Sequence, residues 1–251
     1  MTSEQVASRS KKRLRKGRMV RTSNYDKQPY VCVSTSAGQC WVGWREIIER
    51  LKAGSAEPRR VLCVECYPGC FESSIRDALE EGLRPARVIY APALLKPARA
   101  IDDMLCEVLG DDPVFGHMND VGLEAFFDQI NLNQARETVA HWEKGLLLVV
   151  GVGAALVASE PDVLVYADMA RWEIQGRQRR SETSNIGADN LTESLGLKYK
   201  RAFFVDWRAA DRLKNQLLQK IDFFLDTNSA TPKLGAEICR YRCNPGSIQW
   251  I

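Results

Sequence analysis

Leu146–Arg180, LLLVVGVGAALVASEPDVLVYADMARWEIQGRQRR, decides the fold of this chain. It contains two continuous apolar runs, Leu146–Val150 and Val163–Tyr166. The first opens onto a Gly151-Val-Gly153 turn and the second ends at Asp168. Apolar runs of about five residues, each closed by Gly or Asp and followed by a helical pattern, are what a parallel sheet covered on both faces requires. In open α/β sheets, ligands sit where strand C-termini meet helix N-termini, so Gly151 and Asp168 fall where a site is expected. The helix beyond carries Arg171, Arg177, Arg179 and Arg180, which suit an anionic, phosphorylated ligand.

The 251 residues are 45% apolar, ample for one large α/β domain or a domain with an appendage. No run approaches the roughly 20 apolar residues of a membrane span, and no apolar segment follows the basic N-terminus as a signal peptide would need. The expected compartment is the cytoplasm, with no membrane partner. The net charge of +3 is unevenly spread, because residues 1–24 hold eight Lys or Arg against Glu4 alone, a net +7 that leaves −4 on the body. A basic tail on a mildly acidic body argues against a general nucleic-acid surface. Residues 1–24 read as a disordered leader, with an arm for nucleic acid or a membrane surface as the functional alternative.

Cys63 and Cys66 form a CxxC, but in and at the end of a predicted strand rather than on a zinc knuckle. The far pair, Cys239 and Cys243, is spaced CxxxC, so no zinc cage is expected. Cys32, Cys63 and Cys106 fall at apolar-pattern positions and read as buried thiols. Cys66 or Cys70 is the alternative, as a redox-sensitive thiol. His117 and His141 are the only histidines and form no HxH or HxxxH, so zinc catalysis is disfavoured and no metal site is expected.

Working outward, Tyr30–Val33 is a short strand candidate and Trp41–Lys52 an amphipathic helix. Arg60–Glu65 is a strand, broken by Cys66-Tyr-Pro-Gly69 before a helix over about 71–81. A strand at Arg87–Tyr90 and a helix after Pro97 follow, then one or two helices in Leu123–Glu143. Beyond the opening stretch lie a polar loop, Ser181–Leu195, a further strand, Arg201–Val205, a helix, Trp207–Gln219, and a last strand, Ile221–Leu225. Five or six strands alternating with helices imply a doubly wound, mostly parallel sheet. The expected division is a tail at 1–24, an α/β domain at 25–228 and an irregular segment at 229–251.

The loop VLCVECYPGCFESSI occupies the place of a phosphate-binding loop. A Walker loop needs G-x-x-x-x-G-K-[ST]. Here Gly69 stands alone, no lysine follows, and Pro68 removes a donor, leaving Tyr67, Gly69 and Ser73 to meet an anion at a helix start. Gly151-x-Gly153 lacks the third glycine of a dinucleotide site, and close strand–helix packing is its alternative reading. Glu65, Asp168, Asp206 and Asp226 would gather carboxylates along one sheet edge, as acid, base or metal ligands or merely as helix caps. Arg171, Arg177, Arg180 and, after the next strand, Arg208 are candidate anion ligands. The cluster at 177–180 resembles the basic lid of small P-loop kinases.

Longer strings carry a family resemblance: Asn24-Tyr-Asp-Lys-Gln-Pro-Tyr30, Val64-Glu-Cys-Tyr-Pro-Gly69, Asp112-Pro-Val-Phe-Gly116, Gly153-Ala-Ala-Leu-Val157, Tyr166-Ala-Asp-Met-Ala-Arg-Trp-Glu-Ile-Gln175, Asn185-Ile-Gly-Ala-Asp-Asn190 and Tyr199–Arg212. Together, over nearly all of residues 24–251, they resemble the N-terminal α/β region of bacterial class I mannose-6-phosphate isomerase-like proteins, a region followed there by a cupin barrel. The resemblance implies a P-loop-kinase-like domain with a degenerate phosphate loop. In that family the cupin's His, Glu and Gln hold the isomerase zinc. This chain ends at Pro245-Gly-Ser-Ile-Gln-Trp250-Ile, where that barrel would start, so none of those ligands carries over. The expected function is binding of a phosphorylated sugar or nucleotide without a complete isomerase site. Two alternatives stand beside it: a sugar or nucleoside kinase using a magnesium-nucleotide, and a docking module for a separate cupin.

Overall fold

Val61–Val64 and Leu147–Val150 are buried on both faces, which is why they read as unbroken apolar runs. They form the centre of a seven-stranded sheet in a computed structural model that describes residues 40–53, 58–118 and 120–236. Its strands are β1 (Cys40–Val42), β2 (Arg59–Cys66), β3 (Arg87–Tyr90), β4 (Gly145–Gly151), β5 (Val163–Asp168), β6 (Phe223–Asp226) and β7 (Lys233–Ala236), in the order β1-β7-β6-β5-β2-β4-β3. The five strands from β6 to β3 are parallel, whereas β7 runs antiparallel to β6 and β1 antiparallel to β7. The fold is thus α/β, a doubly wound and mostly parallel sheet, as the patterning implies.

The helices are α1 (Gly43–Lys52), α2 (Glu72–Leu83), α3 (Ala98–Leu109), α4 (Gln129–Ala140), α5 (Ala154–Val157), α6 (Arg171–Arg179), α7 (Leu195–Arg201) and α8 (Trp207–Leu217). The chain leaves β2 toward β3 on one side of the sheet and leaves β5 toward β6 on the other. Since β2 and β5 are neighbours, their C-terminal ends at Cys66 and Asp168 flank a topological switch point, where α/β sheets bind ligands.

Four expectations are corrected. Arg201–Val205 is not a strand: α7 runs through a π-helical turn, Ala202–Asp206, into α8. The buried positions Lys198, Arg201, Ala202, Val205, Ala209 and Leu213 repeat every three or four residues, a helical period that a four-residue apolar run cannot reveal alone. The irregular segment expected from residue 229 instead includes β7, which pairs with both β6 and β1. Trp41 belongs to β1 rather than to the first helix, because Gly43 at φ +80° turns the chain between them. Cys106 is exposed on α3.

The helical stretch after Leu123 resolves into a 3-10 turn at Leu123–Phe126 and α4, whose N-cap Asp128 accepts a bond from the Asn131 amide at 3.0 Å. Among the described residues no helix is long and apolar enough to cross a membrane. The basic tail, the Tyr30–Val33 candidate, Cys32, Cys239, Cys243 and the Pro245–Trp250 string lie outside the described residues.

Candidate functional site

The loop after β2 is closed upon itself. The Cys70 amide donates to the Tyr67 carbonyl (3.1 Å) and the Glu72 amide to that of Cys70 (3.0 Å), while the Tyr67 amide is spent on Ala167 of β5 (2.8 Å). Gly69 sits at φ +102°, and a Cβ there would lie 2.9 Å from Ile174 Cγ2, so glycine is needed to let α6 approach. Its carbonyl accepts from Arg177. Three of the loop's amides are committed in this way, and no lysine follows Gly69 as it would in a Walker loop. Cys66 and Cys70 are buried beneath it, and burial pushes both thiols up, Cys70 to about 12, which opposes the redox reading. Ser73 is exposed on the first turn of α2.

Glu65 is only 2% exposed and accepts from the Gly153 amide (2.8 Å) and the Ala155 amide (2.7 Å). The chain's own Glu65 carboxyl group therefore fills the amide cup that follows Gly151. Gly151 and Gly153 both have positive φ, and a Cβ on either would collide, with Pro92 at 2.4 Å and with the Phe127 ring at 2.3 Å respectively. Gly151 is thus needed as a glycine for close packing. Burial pushes Glu65 up to about 8 against the pull of its two amides, and Glu72, beside the Tyr90 hydroxyl (3.4 Å), up to about 7. Glu65 is a lock between β2 and β4–α5 rather than an accessible base.

At the switch point the charges are paired. Asp168 is bonded to Lys214 and does not cap α6, whose N-cap is Ala170. Arg171 donates to Asp211 (2.6 Å) and to the Tyr67 hydroxyl (3.0 Å), which itself donates to Asp211 (2.7 Å). The Arg171 guanidinium also lies 4.5 Å from the Trp207 ring centre. Trp207, Asp211 and Lys214 recur at helical spacing on α8, so one face of this helix supplies most of the network. Asp206 is removed from the strand edge by the helical correction above. It is buried and accepts from Asn185 (2.6 Å) and the Ile186 amide, fastening the 181–194 loop. Arg208 bonds the Phe203 carbonyl and lies over its ring.

An open cleft of about 300 Å³ lies between α1, α2, α6 and the β6–β7 loop. Trp44, Phe71, Ile75 and Pro232 form its apolar wall, with Ser74, Asn228, Arg177, Arg180, Glu173 and Glu182 as its polar groups. Arg177 is 4% exposed and fully used: it donates to the Gly69 carbonyl (2.9 Å), the Thr227 carbonyl (2.7 Å) and Glu173 (3.3 Å). Arg180 differs. Its side chain is half exposed and donates from Nε and Nη2 to the two oxygens of Glu182 (2.8 and 2.9 Å), and from Nη2 to Glu173 (2.9 Å).

Glu182 is delivered by the end of α6. Its amide bonds the Arg177 carbonyl and that of Ser181 bonds Gln178, a Schellman closure with Ser181 at φ +55° where glycine is usual. The cleft thus joins three sequence-predicted residues, Arg177, Arg180 and, through its carbonyl, Gly69. Tyr67, Arg171 and Asp168 stand in the neighbouring network, while Glu65, Gly151, Asp206 and Arg208 stand in others. Trp44, Phe71, Glu173, Glu182 and Lys214 were not singled out by sequence reasoning; the Glu173–Arg177 spacing of four was the one local signal. Among the described residues, no three or more His, Cys, Asp or Glu side chains converge as a metal site.

With this geometry in place, the chain can be set beside known proteins. A family model described as Domain of unknown function (DUF8485) matches residues 43–236, from the start of α1 to the end of β7. The chain belongs to the DUF8485 family. The DUF8485 region therefore contains every described helix and strand except β1, and the whole cleft. No curated protein matches the chain. Among solved structures, it is similar to a shikimate kinase from Bacteroides thetaiotaomicron, with 11% identity, coverage of 68% of this chain and 88% of that one, and a TM-score of 0.40.

Proposed function

We propose that this chain binds a phosphorylated small molecule in the cleft beside α6. The observation that carries the reading is Arg180, which is half exposed at the cleft and already grips a carboxylate with two nitrogens. A guanidinium fork that holds a carboxylate in this way fits a phosphate equally well. Ser74, in the first turn of α2, adds a hydroxyl and the favourable end of that helix's dipole.

The charges on the cleft wall cancel, two arginines against Glu173 and Glu182. An anion entering with Glu182 in place gains little, so the ligand takes the fork by displacing Glu182, the more exposed of the two carboxylates. Arg177 stays where it is, since it is buried and two of its three partners are backbone carbonyls. Phosphoryl transfer fits less well, because the β2 loop has no lysine and three of its amides are committed. The resemblance to mannose-6-phosphate isomerase-like N-terminal regions makes sugar phosphates suitable probes, with binding expected.

Tryptophan fluorescence provides the test, since Trp44 lines the cleft. Inorganic phosphate and mannose 6-phosphate should both change the emission. Arg180→Ala should weaken binding about tenfold or more, as expected for loss of a charge-assisted pair. Glu182→Gln should tighten it several-fold. Equal affinity in Arg180→Ala and the unaltered chain, or no binding at millimolar concentration, would overturn the reading.

A further inference from the structure

Half of the cleft is not used by a phosphate. Phe71 is 39% exposed there, at the N-cap of α2, next to Trp44 and Ile75. Beneath its ring lies the Arg177 guanidinium, 3.9 Å from the ring centre and held in place by three other partners. One face of the ring is therefore occupied by a fixed cation, and the ring is among the groups that line the cleft. A partly exposed phenylalanine packed on a fixed cation offers a stacking platform.

The cation also shapes what would stack. Charge under one face draws π-electron density toward it, so the opposite face favours an electron-rich planar ring over a saturated sugar. The cleft's volume of about 300 Å³ lies at the small end for ligand sites, enough for one base, one pentose and one phosphate. Resting on the phosphate reading above, we propose that the ligand is a nucleoside monophosphate, its base stacked on Phe71 and its phosphate on the Arg180 fork. The platform and the fork line the same cleft and are linked by contacts, since Phe71 covers Arg177 and Glu173 bonds both Arg177 and Arg180. A sugar phosphate would satisfy the fork and leave the aromatic wall facing water.

The full chain is titrated with AMP and, separately, with ribose 5-phosphate, following tryptophan emission. AMP should bind about tenfold or more tightly, the usual yield of one base on one aromatic ring. In Phe71→Leu this preference should fall toward unity, and in Phe71→Trp it should return. Equal affinity of the unaltered chain for the two ligands would overturn the inference while leaving the phosphate reading intact. Failure of both ligands to bind would overturn both. The comparison in the unaltered chain decides the matter even if Phe71→Leu does not fold.

Discussion

Arg177→Lys is expected to lower the unfolding free energy by about 3 kcal/mol, although the charge is kept. Arg177 fastens three segments at once: the β2 loop through the Gly69 carbonyl, the end of β6 through the Thr227 carbonyl, and α6 through Glu173. A lysine ammonium is a point charge on a flexible stem and cannot span two carbonyls and a carboxylate in one plane. At least one buried carbonyl would lose its donor, and the Phe71 ring would lose its planar support. Urea unfolding followed by circular dichroism measures the change. A loss below 1 kcal/mol would show that the clamp is not what holds these segments.

The second large effect is on pH dependence. Stability should fall as pH rises from about 5 to 8, and Glu65→Gln should flatten that slope. The sign follows from Glu65, which burial pushes from its ordinary 4.5 up to about 8. Between those values the folded chain holds a proton that the unfolded chain releases, so raising the pH favours unfolding. The stabilisation is complete below about 4.5 and is lost through about 8. Glu72, pushed to about 7 chiefly by burial, adds to the slope in the same direction. A total of a few kcal/mol across this range is expected. Glu65→Gln should be less stable at pH 5, because its amide group opposes one of the two backbone donors, but nearly level between pH 5 and 8 apart from the share of Glu72. A slope unchanged in Glu65→Gln, or stability that rises with pH, would contradict this account.

These two residues also show what the sequence reveals of such a fold. The unbroken runs in β2, β4 and β5 can be read because a strand buried on both faces leaves no polar positions, and the Gly151 and Asp168 ends follow from them. Ala202–Val205 misleads for the same reason, since four apolar residues satisfy a strand and a buried helical turn alike. Only the wider spacing from Lys198 to Leu213 separates the two. The arginines after β5 are conspicuous, but their sequence does not say which one is spent. Arg177 is consumed by carbonyls of Gly69 and Thr227, 108 and 50 residues away, whereas Arg180 is left at the cleft with local carboxylates. Phe71 and Trp44 look like ordinary apolar residues, one beside a turn and one on a helical stripe. Their shared wall arises only when α1 and α2 are brought together, as the contact of Gly82 with Ile48 records.

The central claim is that an anion enters the cleft beside α6 and takes Arg180 from Glu182. Mapping amide and indole chemical shifts of the full chain during a titration with inorganic phosphate tests it most directly. The predicted result is a saturable shift of the Ser73, Ser74, Arg180 and Glu182 amides and of the Trp44 indole, lost in Arg180→Ala. Shifts centred on the Tyr67–Asp211 network or on Gly151–Ala155, or no saturable shift at millimolar phosphate, would contradict it.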